Sequence, residues 1–168
     1  MAATYEKIAT TTLGSAAASI TFSSISSAYT DLRLVFVAKS TTGGSAIANA
    51  RLTYNSDNGT NYSRTTLGGN GSATSSYQNS NNTYIDLALA NLSSAQPSFL
   101  SYDIFSYAGS TFKTTLLTVQ QDYNGSGVIE RIVGLYRSAT AISTIKIEST
   151  INTYDVGTTA TLYGILKA

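Results

Sequence analysis

Apolar and polar residues alternate along most of this chain with a period of two, the pattern of a strand with two unlike faces. Asp31 to Lys39 sets Leu32, Leu34, Phe36 and Ala38 on one side and Arg33, Val35, Val37 and Lys39 on the other. The second set is half apolar, so this strand is expected to be covered on both faces in its middle. Ser15 to Phe22 alternates in the same way, and Leu52 and Tyr54 flank Thr53. Two longer runs face each other across Asn124-Gly125, a pair that tolerates the positive φ of a tight hairpin turn. The first places Phe112, Thr114, Leu116 and Thr118 against Lys113, Thr115, Leu117 and Val119. The second places Ile129, Arg131, Val133 and Leu135 against Val128, Glu130, Ile132 and Tyr136. Further strands are expected at Tyr5–Leu13, Tyr84–Leu89, Phe99–Tyr107, Ser143–Ser149 and Thr159–Leu166. Asp57-Asn58-Gly59 reads as a second hairpin turn. Leu87 to Ser94 could make one short helical turn before Pro97. The prediction is an all-β, antiparallel two-sheet sandwich, jelly-roll-like, of about eight to ten strands.

Two stretches break the pattern. Leu67 to Asn82 is rich in Gly, Ser and Asn and buries too little to be core, so it reads as a surface loop or as a segment ordered by a neighbour. Lys39 to Ala46, with Gly43 and Gly44, reads as a second loop. Neither resembles a linker between structured halves, so residues 1–168 form one domain.

Composition narrows the chemistry. The 168 residues include no His, no Cys and no Trp. A Ser–His–Asp or Cys–His centre is therefore impossible, and zinc through His and Cys is excluded. Disulfides are excluded too. Only 11% of residues are charged, against about 25% in ordinary domains. Such a low fraction suits either surface covered in an assembly or a neutral extracellular-type β domain, and composition alone does not separate the two. Net charge is +1 and the ten basic residues are scattered, so there is no stripe to neutralise phosphates and no nucleic-acid partner is expected. Met1 to Lys7 lacks the basic and apolar regions of a secretory signal. No run approaches about 18 apolar residues, so no membrane-spanning helix is expected.

The nine acids are Glu6, Asp31, Asp57, Asp86, Asp103, Asp122, Glu130, Glu148 and Asp155. A glycosidase would need two of them paired across a cleft. Solvated positions explain so few acids better, and the chain reads as a non-enzyme. Gly69-x-Gly71 fails as a phosphate loop, because Thr74 stands where a third Gly is needed and no Lys-Ser/Thr follows. Asn55, Asp57 and Asn58 lack the closing acid of a calcium loop. No cofactor and no metal are expected. Twelve tyrosines remain as candidate contact residues, since Tyr offers a rigid ring with a hydroxyl. Tyr62, Tyr77 and Tyr154 fall in loop-like segments and are the candidate binding residues, with ring stacking on a sugar as one use. Most of the others suit strands.

Three segments carry a family resemblance. Ala3 to Ile25, Leu52-Thr-Tyr-Asn-Ser-Asp-Asn-Gly-Thr-Asn-Tyr-Ser63 and Gly157-Thr-Thr-Ala-Thr-Leu-Tyr-Gly-Ile165 resemble small virion proteins of tailed phages. That resemblance implies a jelly-roll-like sandwich on the outside of the particle, assembled in the host cytoplasm. Decoration (cement) proteins of this kind are often homotrimers that bind the major capsid protein, while related sandwiches serve in fibres and tail appendages. The chain shows no heptads and no long repeat, as a free-standing fibre would need, which favours a capsid decoration protein. The alternative is a receptor- or carbohydrate-binding module of an appendage, taking a host surface glycan. Residues 2–13, rich in Thr, could be an N-terminal arm reaching a neighbouring subunit.

Overall fold

The computed structural model describes residues 4–42, 50–149 and 151–166. Among them eleven strands form two antiparallel sheets, the two-sheet sandwich that the alternation predicts. The strands are β1 (Tyr5–Thr12), β2 (Ser19–Phe22), β3 (Asp31–Ala38), β4 (Arg51–Tyr54), β5 (Tyr62–Gly69), β6 (Thr74–Asn82), β7 (Ser98–Phe105), β8 (Lys113–Asp122), β9 (Gly127–Tyr136), β10 (Ile145–Glu148) and β11 (Thr159–Ile165). The sheets are unequal. Eight strands run in the order β1-β11-β3-β7-β8-β9-β5-β6, and three in the order β2-β10-β4.

The β8–β9 hairpin turns where the sequence predicts, with Asn124 at φ 58° and Gly125 at φ 98°. Asp122 Oδ1 accepts the Asn124 N–H (2.8 Å) and closes the turn. Asp57-Asn58-Gly59 is not a hairpin turn, because β4 and β5 belong to different sheets. The chain reverses earlier, at Asn55 and Ser56, both with positive φ, and the Asp57 N–H bonds Tyr54 O at 2.9 Å. Asp57 then staples the crossover. Its Oδ1 accepts the Gly59 N–H (2.7 Å), and its Oδ2 accepts Asn61 Nδ2 (2.9 Å) and the Tyr136 hydroxyl (3.0 Å).

The low-complexity stretch from Leu67 to Asn82 is a strand pair rather than a loop. β5 and β6 are paired from Gly69↔Thr74 to Tyr62↔Asn82. Burial is not what orders it; backbone pairing with β5 is. Conversely, Tyr84–Leu89 is not a strand. Only Ile85 pairs, through two hydrogen bonds with Leu52 (2.7 and 3.0 Å). Leu87–Ser94 contains no helical turn. The N–H groups of Ala88, Leu89 and Ala90 instead converge on the Glu130 carboxylate. Ser15–Phe22 shortens to β2, with Ala17 making an isolated bridge to Tyr154. Residues 43–46 of the expected second loop lie outside the described residues. Within residues 4–13 the chain is no free arm: β1 pairs with β11 along Tyr5↔Ile165 to Thr12↔Thr159.

The small sheet buries Ile20, Phe22, Leu52, Tyr54, Ile145 and Ile147 against Leu32, Leu34, Phe36, Leu100, Tyr102, Leu117 and Ile132 of the large one. Each such apolar side chain contributes about 1.5–3 kcal/mol when fully buried. Three short strands do not cover eight, and the segment 83–97 completes the second layer as a strap. A Cβ on Gly68 would lie 2.5 Å from Leu89 Cδ1, and one on Gly134 would lie 2.6 Å from Ile85 Cδ1. The strap therefore packs directly on the backbone of β5 and β9. Gln121 Nε2 ties it down at Asn91 O (2.8 Å), and Asp86 lies 2.7 Å from Arg64 Nε.

Candidate interaction surface

The strand registers lay out the outer face of the large sheet in four rows. One row runs Thr12, Thr159, Val37, Phe99, Gln120, Ile129, Gly69. The next runs Thr10, Thr161, Val35, Ser101, Thr118, Arg131, Leu67. The third runs Lys7, Tyr163, Arg33, Asp103, Leu116, Val133, Thr65, and the last Tyr5, Ile165, Asp31, Phe105, Thr114, Leu135, Ser63. The seven strands in these rows, about 4.8 Å apart, and four rows about 7 Å apart make a face of roughly 900 Å².

Across β1, β11 and β3 this face mixes hydroxyl pairs and an ion pair with Tyr5, Tyr163, Ile165, Val35 and Val37. Thr10 and Thr12 pair with Thr161 and Thr159 (3.1 and 3.2 Å). Arg33 grips Asp103 with Nε and Nη2 (2.5 and 2.9 Å) and lies 5.7 Å from the Tyr5 ring. Across β8, β9 and β5 an exposed aliphatic cluster sits among Thr, Ser and Gln side chains. Ile129 is 64% exposed, Leu67 63% and Val133 49%, with Phe112 (57%) just beyond the end of β8. In register Leu67 lies diagonally between Ile129 and Val133, and Val133 lies beside Leu116. Arg131 is the one charge inside this cluster. On the outer face of β3, Val35 at mid-strand is half-buried and Val37 near the strand end is exposed, and no described segment covers either. No described part of the chain crosses this face, since the small sheet and the strap both pack on the other side.

The opposite faces of β8 and β9 carry one charge each, Lys113 and Glu130. Lys113 and Glu130 are fully buried. Lys113 Nζ donates to the carbonyls of Gly109 (2.7 Å), Thr111 (2.6 Å) and Ser138 (3.2 Å). Other acids are also engaged. Asp31 Oδ1 accepts the Ser106 N–H (2.6 Å), and Glu148 pairs with Lys146. Asp31 and Asp103 are diagonal neighbours, but on an open sheet face rather than in a cleft. Among the described residues no three acids gather as a metal site, and no helix is long and apolar enough to cross a membrane.

Of the candidate tyrosines, only Tyr77 is exposed, at mid-strand on β6. Tyr62 and Tyr154 have no exposed surface. Tyr62 stacks on Tyr136 (4.8 Å, 17°) and Tyr154 meets Phe36 edge-on (5.1 Å). Neither ring is open to a ligand, because both close the ends of the core. Burial pushes the phenols of Tyr54, Tyr62, Tyr102 and Tyr154 well above the ordinary tyrosine value, so they stay neutral. A polar hollow of about 380 Å³ lies between β5 and β6, lined by Ser63, Arg64, Thr65, Gln78, Asn79 and Ser80.

The sequence singled out rings in apparent loops and missed the exposed aliphatic cluster. Its signal was present in the hairpin, where both faces of β9 carry apolar residues. Comparison with known proteins finds no matching family, no matching curated protein and no matching solved structure.

Proposed function

We propose that the chain is a non-enzymatic structural protein of a tailed-phage particle, a capsid decoration protein that adheres to the major capsid protein from outside the shell. The observation that carries this is the exposed aliphatic cluster of Leu67, Ile129 and Val133 on the outer face of the large sheet, left uncovered by every described part of the chain. A sheet face with aliphatic residues at its middle and threonines at its margin suits a protein–protein contact. The whole outer face, at roughly 900 Å², is large enough for the roughly 800 Å² that each partner contributes to a standard interface. Repetition over a lattice multiplies a modest single affinity. The engaged acids favour adhesion over catalysis.

The test is electron microscopy of particles given tagged protein, with a second preparation carrying Ile129→Asp and Val133→Asp. Wild-type protein should coat heads, and the double variant should fold normally but bind at least about tenfold more weakly. Label on tails alone, or undiminished binding by the variant, would overturn the proposal. The hydroxyl- and amide-lined hollow between β5 and β6 favours a second reading, a module for a host surface glycan. A glycan-array signal lost in Gln78→Ala would support it.

A further inference from the structure

The large sheet ends in two free edges that are built differently. β1 carries Glu6 and Lys7 and breaks register between Lys7 and Ala9. Charge and a bulge both discourage the addition of another strand. β6 has nine residues, none of them charged and none of them proline. Its only irregularity lies at its end, where Asn82 pairs with Tyr62 but Asn79 with Arg64, and Asn81 takes a positive φ of 56°. From Thr74 to Asn79 the strand is regular. Both of its faces are largely exposed, as is its outer edge. A strand that buries so little recovers little of the entropy spent in extending it, and its outward N–H and C=O groups form a template for pairing.

We propose that β6 is a homophilic edge, joining two copies of this chain antiparallel along Ser75–Asn79 about a two-fold axis normal to the sheet. In this register Tyr77 meets the partner's Tyr77 on the axis, Ser76 faces the partner's Gln78, and Ser75 faces the partner's Asn79. Every pair shares a face, as pleating requires. No like charges oppose one another, and ring meets ring. A second copy fits because, among the described residues, β6 is the one unprotected edge of the large sheet. Joining β6 to the charged β1 of another copy would leave new free edges and run on without closing, whereas the two-fold pair closes. It would also explain an exposed tyrosine in a strand of Ser, Asn and Gln. The result is a sixteen-strand sheet with two Leu67–Ile129–Val133 clusters on one face. In purpose, though not in geometry, this inference rests on the adhesive role proposed above. It replaces the threefold assembly implied by the family resemblance.

The full chain contains no cysteine, so a single one can report the contact. Across an antiparallel pair, Cα atoms lie about 4.5–5.5 Å apart, within reach of a disulfide. Tyr77→Cys should cross-link to a covalent dimer under mild oxidant, and Thr10→Cys on β1 should stay monomeric. Sedimentation equilibrium of wild-type protein from micromolar to millimolar should show twice the 17.6 kDa chain mass. Tyr77→Lys should raise the dimer dissociation constant at least about tenfold with unchanged circular dichroism. A monomer at every concentration, a trimer, or cross-linking at Thr10→Cys matching that at Tyr77→Cys would overturn the proposal. Head binding is scored separately: a dimer that ignores heads defeats the adhesive role alone, and a monomer that coats them defeats the edge pairing alone.

Discussion

Lys113 shows how a charge can serve as a core residue here. Among the described residues its ammonium has no carboxylate partner and instead gathers three carbonyls from two loops. Lys113→Met removes all three bonds to carbonyls that are themselves only part-buried, so urea unfolding should show a loss of about 1–2 kcal/mol. Asp57 acts by the opposite charge. Burial alone would raise its carboxyl, but bonds from Asn61, Gly59 and Tyr136 outweigh it and hold the pKa below the ordinary aspartate value. A depressed folded pKa gives stability that is fully present above the unfolded value, near 3.9, and is lost as pH falls through the folded one. The unfolding midpoint of wild-type protein should therefore drop more steeply as pH falls below about 4 than that of Asp57→Asn. Neither role was legible beforehand. Sequence shows that Asp57 begins a turn, but not that Tyr136 arrives from β9 to share it.

At the scale of elements, local rules were strongest where pairing is local. Asn124-Gly125 and its flanking runs name the β8–β9 hairpin outright, because the turn needs two positive φ values and the strands supply their own register. They failed at β6 and in the strap. β6 has no hydrophobic periodicity, yet backbone hydrogen bonds to β5 suffice to extend it. The strap looks like a strand from Tyr84 to Leu89, but Glu130 draws its amides aside after Ile85. Hydrogen exchange tests that pin. Glu130→Gln replaces a carboxylate by a weaker acceptor, so the amides of Ala88, Leu89 and Ala90 should exchange about tenfold to a hundredfold faster. Amides at the centre of β7 and β8 should change little.

For the whole molecule, the decisive choice is which face of the large sheet is inside. Ile132 and Val133 are chain neighbours on β9 with opposite fates, one fully buried and the other half exposed. Ile132→Ala should cost about 2–4 kcal/mol in chemical unfolding, whereas Val133→Thr should stay within about 0.5 kcal/mol. Equal losses would mean that the outer face is covered within the monomer. The sequence by itself determined an all-β chain, the period-two division of each strand into two faces, and the main hairpin, because alternation and turn chemistry are local properties. Only the tertiary structure decided that Lys113 and Glu130 go inward while Ile129 and Val133 go outward. Hydropathy cannot rank two faces that are both partly apolar. The strap ranks them, since Ile85 and Leu89 find bare backbone at Gly134 and Gly68 on one side alone.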